Sequence, residues 1–402
     1  MISSTQNATC SVEPGTTEDL GVILRILGYT RTSFAVKGGG HASNQGFSST
    51  KGVQIAMYRF PEVTYDARTK TVTIGTGLIW DEVYAALEPY NVNVVGGRVT
   101  GVGVASFTLG GGYSWKTNQY GLTLLVDTVQ AFELVLPNGT VTTVTATSNT
   151  DSFFGLKGGF NNFVEQGVVT TFVLKTVPQT QVWGGLITYT TSMLPPARFR
   201  TGQPGVSALI FYDAPTPLTK KTSPLARSYL LFSRPLPTKL LDYAVYLIPC
   251  LLRVTQWTHW NLSLTKLYAL QYYGQSMAQK SAVLISYSVE PLLPSLFSHN
   301  TIPTAYPPIR SKGLLPLNLY FAWTDPLSDD AFQKAIGNST VILKARAVAN
   351  GQDIANAAVY GNYATIHTLV DDIYKGNLPR LRSIKAVYDP DNVMGLTGGY
   401  KF

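Results

Sequence analysis

The 402 residues carry 31 Lys and Arg against 23 Asp and Glu, a formal net charge of +8, with 45% hydrophobic and only 13% charged residues. A chain of this length and apolar content builds one large or two ordinary hydrophobic cores and is not intrinsically disordered. Its basic residues are scattered, which speaks against a nucleic-acid partner; the longest apolar run, Tyr243 to Leu252, is interrupted by Pro249 and too short to span a bilayer; and Cys10 and Cys250 have neither metal-site nor redox-motif spacing.

In chain order, Cys10 to Glu13 reads as strand. Thr16 then offers an N-cap with Glu18 and Asp19 in the first turn, and Leu20, Val22, Ile23, Leu24, Ile26 and Leu27 recur at helical spacing, predicting a helix from about 17 to 28 that stops at Gly28. Phe34 to Ser48 follows as the first glycine-dense loop. A strand seed, Phe34-Ala35-Val36, runs into Lys37, Gly38, Gly39, Gly40 and His41, then Ala42, with Gly46 closing the loop. Two readings stand for it: a backbone cradle for a pyrophosphate with one nucleophilic imidazole attached, or a tight surface turn whose histidine is satisfied by a carbonyl.

Short strands are expected at Val53 to Met57, Val63 to Tyr65 and Thr71 to Ile74, and a helix at Trp80 to Leu87, stopped by Pro89. The second glycine-dense stretch, Val95 to Trp115, holds seven glycines among small and β-branched residues, a composition that predicts no helix. Bare backbone over that length suits either a large flat ligand, with Thr100, Ser106, Thr108 and Ser114 as donors, or a sheet corner packed on another backbone. A hairpin follows around Pro137-Asn138-Gly139, between strands Asp127 to Leu136 and Thr140 to Ala146. The third glycine cluster, Leu156 to Phe163, precedes a strand from Gly167 to Lys175. Three such loops imply one extended ligand held at several points, and none fits the dinucleotide or phosphate-loop fingerprint.

Beyond Pro178 glycines thin out and strands alternate at Val182 to Tyr189, Val206 to Tyr212, Ser228 to Ser233, Ala282 to Val289 and Leu315 to Trp323, with helices at about Leu262 to Lys280 and Ser328 to Ala349. This predicts a second domain on an antiparallel sheet covered by helices. The chain closes with Tyr360-Gly361-Asn362-Tyr363, a helix from Leu378 to Tyr388, and Asp389 to Met394. Sequons begin at Asn7, Asn138, Asn261 and Asn338.

The ordered motifs KGGGH, GGRVTGVGV, TLGGGYSW, LKGGFNNF, YGNY and YDPDNVMG, spread over nearly the whole chain, resemble the berberine-bridge-enzyme-like flavoprotein oxidases of the vanillyl-alcohol-oxidase and p-cresol-methylhydroxylase superfamily, most of all the fungal sugar- or alcohol-oxidising branch. The resemblance implies an α+β fold: a p-cresol-methylhydroxylase-type FAD-binding domain of two α+β subdomains over 1–178, a substrate domain over 179–350, and a berberine-like segment over 351–402 that returns to the first. It implies FAD bonded through His41 to the flavin 8α-methyl. A second link through cysteine is not expected, because Val99 occupies that position. Lys37 through Ala42, Gly46, Thr100, Gly101, Gly103, Val104 and Ser106 would line the cofactor, and Val102 would control oxygen access. Gly110, Gly111, Gly112 and Gly121 would allow close approach, Gly167 and Val168 would serve the adenine side, and Tyr360 and Asn362 would complete the site.

For chemistry, the resemblance makes Tyr363 the base for a substrate hydroxyl, with Tyr113 and Tyr320 as further candidates. Asn318 falls where relatives place a carboxylate, so Tyr363 would depend on other cationic or polar neighbours. Expected partners are a small alcohol, sugar or secondary metabolite and O2, with no metal, no nucleic acid and no membrane, in a monomer. Relatives are secreted, although no signal sequence is visible here and the FAD domain looks short at its start. Cys10 would then lack its usual disulfide partner. Leu124-Leu125-Val126 and Val164-Glu165-Gln166 look inserted.

Overall fold

The computed structural model describes residues 4–121, 128–159, 165–189, 206–213, 272–290, 292, 296, 299, 302–308 and 316–402. The expected strand Ser228 to Ser233, the first half of the helix from Leu262, and the Leu124-Leu125-Val126 segment lie outside these residues. The chain divides into two compact units, one of residues 1–179, 294–312 and 357–402, the other of 180–293 and 313–356.

In the first unit, helix α1 (Thr17–Thr30) starts in a capping box: the Asp19 N–H donates to Thr16 Oγ1 at 3.1 Å and the Thr16 N–H to Asp19 Oδ2 at 3.2 Å. It buries Leu20, Leu24 and Leu27. The helix does not stop at Gly28 as its sequence suggests, because Arg31 adopts the left-handed cap conformation at φ 52° and its N–H closes on Gly28 and Leu27. Gly28 is needed for packing instead; a β-carbon there would stand 2.8 Å from Val393 Cγ2.

Strands β1 (Cys10–Val12), β2 (Phe34–Lys37) and β3 (Val53–Ala56) form a parallel sheet in the order β1-β3-β2. A second, antiparallel sheet of five strands runs β4 (Val63–Asp66), β5 (Thr71–Gly75), β8 (Val168–Lys175), β6 (Val129–Val135), β7 (Val141–Thr145). Both sheets share one core with α1 and α2 (Trp80–Leu87), in which Phe34, Ile55, Trp80, Phe132 and Phe172 are buried. This core fixes the ends of β2 and α2, and the two glycine loops leave from there.

The Val95 to Trp115 stretch does contain a helix, α3 (Val104–Leu109), contrary to the expectation from composition. The glycines cluster on either side of it, at Gly101 and Gly103 before and Gly110 to Gly112 after, so the six residues between them carry no glycine and wind freely.

Glu165 and Gln166, which look inserted in the sequence, are built into this unit. The fully buried Glu165 carboxylate pairs with Lys385 at 2.7 Å and Lys401 at 3.2 Å, and Gln166 Oε1 accepts from Ser152 Oγ at 2.6 Å. They thereby fasten the C-terminal segment, including helix Leu378–Tyr388, to the five-stranded sheet.

In the second unit Trp183–Tyr189 pairs antiparallel with Val206–Tyr212, and Ala282–Val289 with Leu317–Trp323. The 21-residue helix Asp329–Ala349 lies on the latter pair, as expected: Phe332 stacks on Trp323 at 4.5 Å, the Trp323 Nε1–H donates to Asp329 at 2.6 Å, and the Tyr287 and Ser339 hydroxyls meet at 2.7 Å.

Candidate active site

Two of the glycine loops meet directly. A β-carbon on Gly39 would lie 2.5 Å from Gly103 Cα, and one on Gly38 would lie 2.6 Å from the Thr76 carbonyl, so both positions admit only hydrogen. Gly40 then turns at φ +69°, with the Lys37 side chain folded over it. Among the described residues, none of the main-chain N–H groups from Gly38 to Ala42 has a hydrogen-bond partner. They line a small cleft with Val36, His41 and Ser48 on one side and Ala105 and Ser106 of α3 on the other.

His41 reaches solvent, yet enough protein surrounds its ring that lost hydration holds its pKa below the ordinary imidazole value, favouring the neutral, nucleophilic form. The facing loop is tied down by Asp81 at the start of α2. Its carboxylate accepts from Thr100 Oγ1 at 2.5 Å and from the Gly101 N–H at 2.9 Å, and the Thr100 hydroxyl foremost lowers the Asp81 pKa. Val99 and Thr100 are exposed, while Val102 is half-buried against the core. Gly46 and Gly101 have positive φ and open space in front of them.

On the far side of α3 the chain assembles an aromatic cluster. Gly110 leaves room for the Asn362 amide, which would overlap any β-carbon there, and Asn362 Nδ2 donates to the Tyr360 hydroxyl at 2.8 Å. Tyr360 in turn lies 4.5 Å from Tyr113, 4.9 Å from Tyr363 and 6.0 Å from Tyr306, ring centre to ring centre. Tyr113 is buried, its hydroxyl makes no hydrogen bond of acceptable geometry, and burial pushes its pKa well above the usual phenol range. The Tyr306 phenol, buried beside it, is pushed up to about 12.

Tyr363 differs from its neighbours. Its hydroxyl oxygen accepts a hydrogen bond from Arg98 Nη2 at 2.8 Å. Arg98 sits inside the GGRVTGVGV motif, and no local signal in the sequence pairs it with a tyrosine 265 positions away.

Several expected positions also have local structural roles. Gly167, at φ +147°, is accounted for by backbone packing, since a β-carbon would meet the Val135 carbonyl at 2.3 Å, and Val168 is a buried rung of the five-stranded sheet. Gly111 and Gly121 both take positive φ, Gly121 as the cap of the short helix Thr117–Tyr120. Asn318 and Tyr320 belong to the second unit, opposite Ser288 and Ser286 in its strand pair, Asn318 half-buried and Tyr320 exposed.

The whole chain superposes on solved flavoprotein oxidases. 6-Hydroxy-D-nicotine oxidase from Arthrobacter nicotinovorans matches with a TM-score of 0.71 at 17% identity, over 99% of this chain and 93% of that one. The glucooligosaccharide oxidase of Acremonium strictum, described with a 6-S-cysteinyl, 8α-N1-histidyl FAD, matches at 0.64 and 19% identity, over 95% and 89%. The fold is therefore that of the p-cresol-methylhydroxylase-type FAD-binding oxidases.

In sequence, residues 8–145 match the family described as FAD binding domain, and residues 359–397 match berberine and berberine like. In these two regions, which together span less than half of the chain, it resembles the berberine-bridge-enzyme-like FAD-linked oxidoreductases. Curated relatives include FAD-dependent monooxygenases of Penicillium terrestre, 42% identical over 47% of this chain and 36% of that protein, and of Aspergillus niger, 40% identical over 47% and 32%. The chain thus aligns with about a third of the length of these relatives.

The residues present fit FAD. Unpartnered N–H groups from Gly38 to Ala42 are the donor set a pyrophosphate needs, and the glycines beside them let it approach.

Proposed function

We propose that this chain oxidises an alcohol or sugar hydroxyl, with FAD linked through His41 and O2 as the final acceptor, releasing hydrogen peroxide. The observation that carries the reading is the row of N–H groups from Gly38 to Ala42, without hydrogen-bond partners among the described residues, which includes a histidine whose surroundings favour the neutral form. FAD, when bound, supplies the two-electron acceptor. The chain's own residues do the rest. Gly38 to Ala42 hold the pyrophosphate, and Ser106 offers a hydroxyl beside it. The His41 imidazole anchors the isoalloxazine, while Val99 offers no sulfur for a second bond. Tyr363 takes the hydroxyl proton at its phenol oxygen, and Val102 leaves room for oxygen. Asn318 is an amide, which can donate to or accept from a hydroxyl but cannot take its proton, so no role as base is assigned to it.

A second reading, insertion of an oxygen atom into an organic substrate, is favoured by the relatives named as FAD-dependent monooxygenases. One experiment separates the two. The expressed chain is denatured in acid, its pellet is examined for flavin colour, and the native protein is mixed anaerobically with a panel of sugars and of aliphatic and benzylic alcohols. Coloured pellet, flavin bleaching by a sugar or alcohol, and stoichiometric peroxide on readmitting air are the expected results. Incorporation of labelled oxygen into the organic product would establish the second reading, and a colourless chain would refute both.

A further inference from the structure

We propose that Arg98 is the positioning residue that makes Tyr363, alone among the clustered tyrosines, able to carry negative charge and take a proton; this rests on the reading of Tyr363 as the base. The geometry fixes the direction of their bond. A guanidinium has five donors, no acceptor and a permanent charge, so at 2.8 Å the Tyr363 oxygen must be the acceptor, with a lone pair committed to Arg98 and its own hydrogen turned elsewhere. A charged donor into a phenol oxygen stabilises the phenolate more than the phenol.

The arginine is delivered by a held loop. Gly96 and Gly97 pack on the Trp80 ring where no β-carbon would fit, and the Gly97 carbonyl accepts from the Tyr84 hydroxyl at 2.6 Å. Two residues past Arg98, Thr100 and Gly101 are clamped on Asp81. The guanidinium itself lies 5.8 Å from the centre of the Trp115 ring. Among the described residues, Tyr360, 4.9 Å away, and Tyr113, 6.5 Å away, also flank Tyr363. Burial keeps Tyr113 protonated, and Tyr360 already accepts from the Asn362 amide, which lacks charge. In the transfer this serves, the substrate O–H bond breaks as an O–H bond forms on Tyr363, and Arg98 keeps all its protons; FAD, when bound, would supply the acceptor for the hydride lost from the C–H bond as C=O forms.

The test reads tyrosinate by ultraviolet absorbance and needs no substrate. Titration of the flavin-loaded protein minus that of Tyr363→Phe isolates one phenol; the same difference is taken in an Arg98→Met background. The midpoint is expected to rise by about one pH unit or more without Arg98, a tenfold or greater loss of phenolate at a given pH below it. Arg98→Lys, which keeps the charge and loses the fork, should fall between, and it stands in if Arg98→Met fails to fold by thermal melting. An unmoved midpoint in a folded variant overturns the proposal. If the midpoint moves but Tyr363→Phe turns over a flavin-reducing alcohol normally, the pairing holds and the assignment of Tyr363 as base fails.

Discussion

Gly39 and Gly103 meet main chain to main chain, so that a β-carbon on either would stand only 2.5 to 2.7 Å from backbone atoms of the other. Neither partner is a flexible side chain that can swing away, and the loops carrying them form the two walls of the cofactor cleft. Gly39→Ala should therefore destabilise the fold by about 1–3 kcal/mol, the usual range for overpacking, and lower the flavin content of purified protein. Gly376→Ala is the control. It meets nothing within 4 Å, carries no positive φ and lies outside the proposed cofactor loops, so it should keep both its stability and its flavin. Flavin-to-protein absorbance ratios and thermal melts of the two variants check the contrast.

His41 gives a pH dependence with a definite sign. Its folded pKa lies below the ordinary value of 6.5 because burial disfavours the cation. The unfolded chain then binds the proton more readily, so acidification favours unfolding. Stability should fall as pH drops from 6.5 toward the lower folded value, and this component should be absent above 6.5. Urea midpoints of wild type and His41→Gln across that window measure it. Covalent attachment should follow the same titration, slowing as the imidazole protonates, and His41→Ala should release all its flavin on acid denaturation.

These contrasts also show where a sequence stops being readable. Periodicity and caps are local, and they locate helices Trp80–Leu87 and Leu378–Tyr388 to the residue. The end of α1 is not local: Gly28 looks like a stop, but its missing side chain serves Val393, and the left-handed turn falls to Arg31. Helix α3 is hidden because composition averaged over 21 positions masks six glycine-free ones. The motif supplied Arg98 and Tyr363 separately; only the fold brings together residues 265 positions apart.

The Glu165 carboxylate is fully buried between Lys385 and Lys401, with Asp389 also within 3.7 Å of Lys385. Glu165→Gln would leave two ammonium groups facing a neutral amide, and breaking a buried pair in this way costs about 3–5 kcal/mol. Lys401 is partly exposed and can shed some of that cost by turning to water, which sets the expected loss at the low end. Denaturant unfolding followed by tryptophan fluorescence measures it. A change under about 0.5 kcal/mol, the scale of an ordinary surface substitution, would mean that the ion pairs do not hold the C-terminal segment.

Tyr113 and Tyr363 lie in one cluster with rings 6.5 Å apart, yet the loss of a hydroxyl should have opposite effects at the two. The buried Tyr113 hydroxyl lacks a well-formed hydrogen bond among the described residues, so Tyr113→Phe removes a desolvated polar group and should leave stability unchanged or raise it. The Tyr363 oxygen is held by Arg98, and Tyr363→Phe removes both this charge-assisted hydrogen bond and the proposed proton acceptor. Its rate of flavin reduction should fall by about 10²- to 10⁴-fold, the range for loss of a general base, with flavin still bound. Stopped-flow bleaching of the two variants with one reducing alcohol decides between them. Should Tyr113→Phe be the slow one, the assignment of the base passes from Tyr363 to Tyr113.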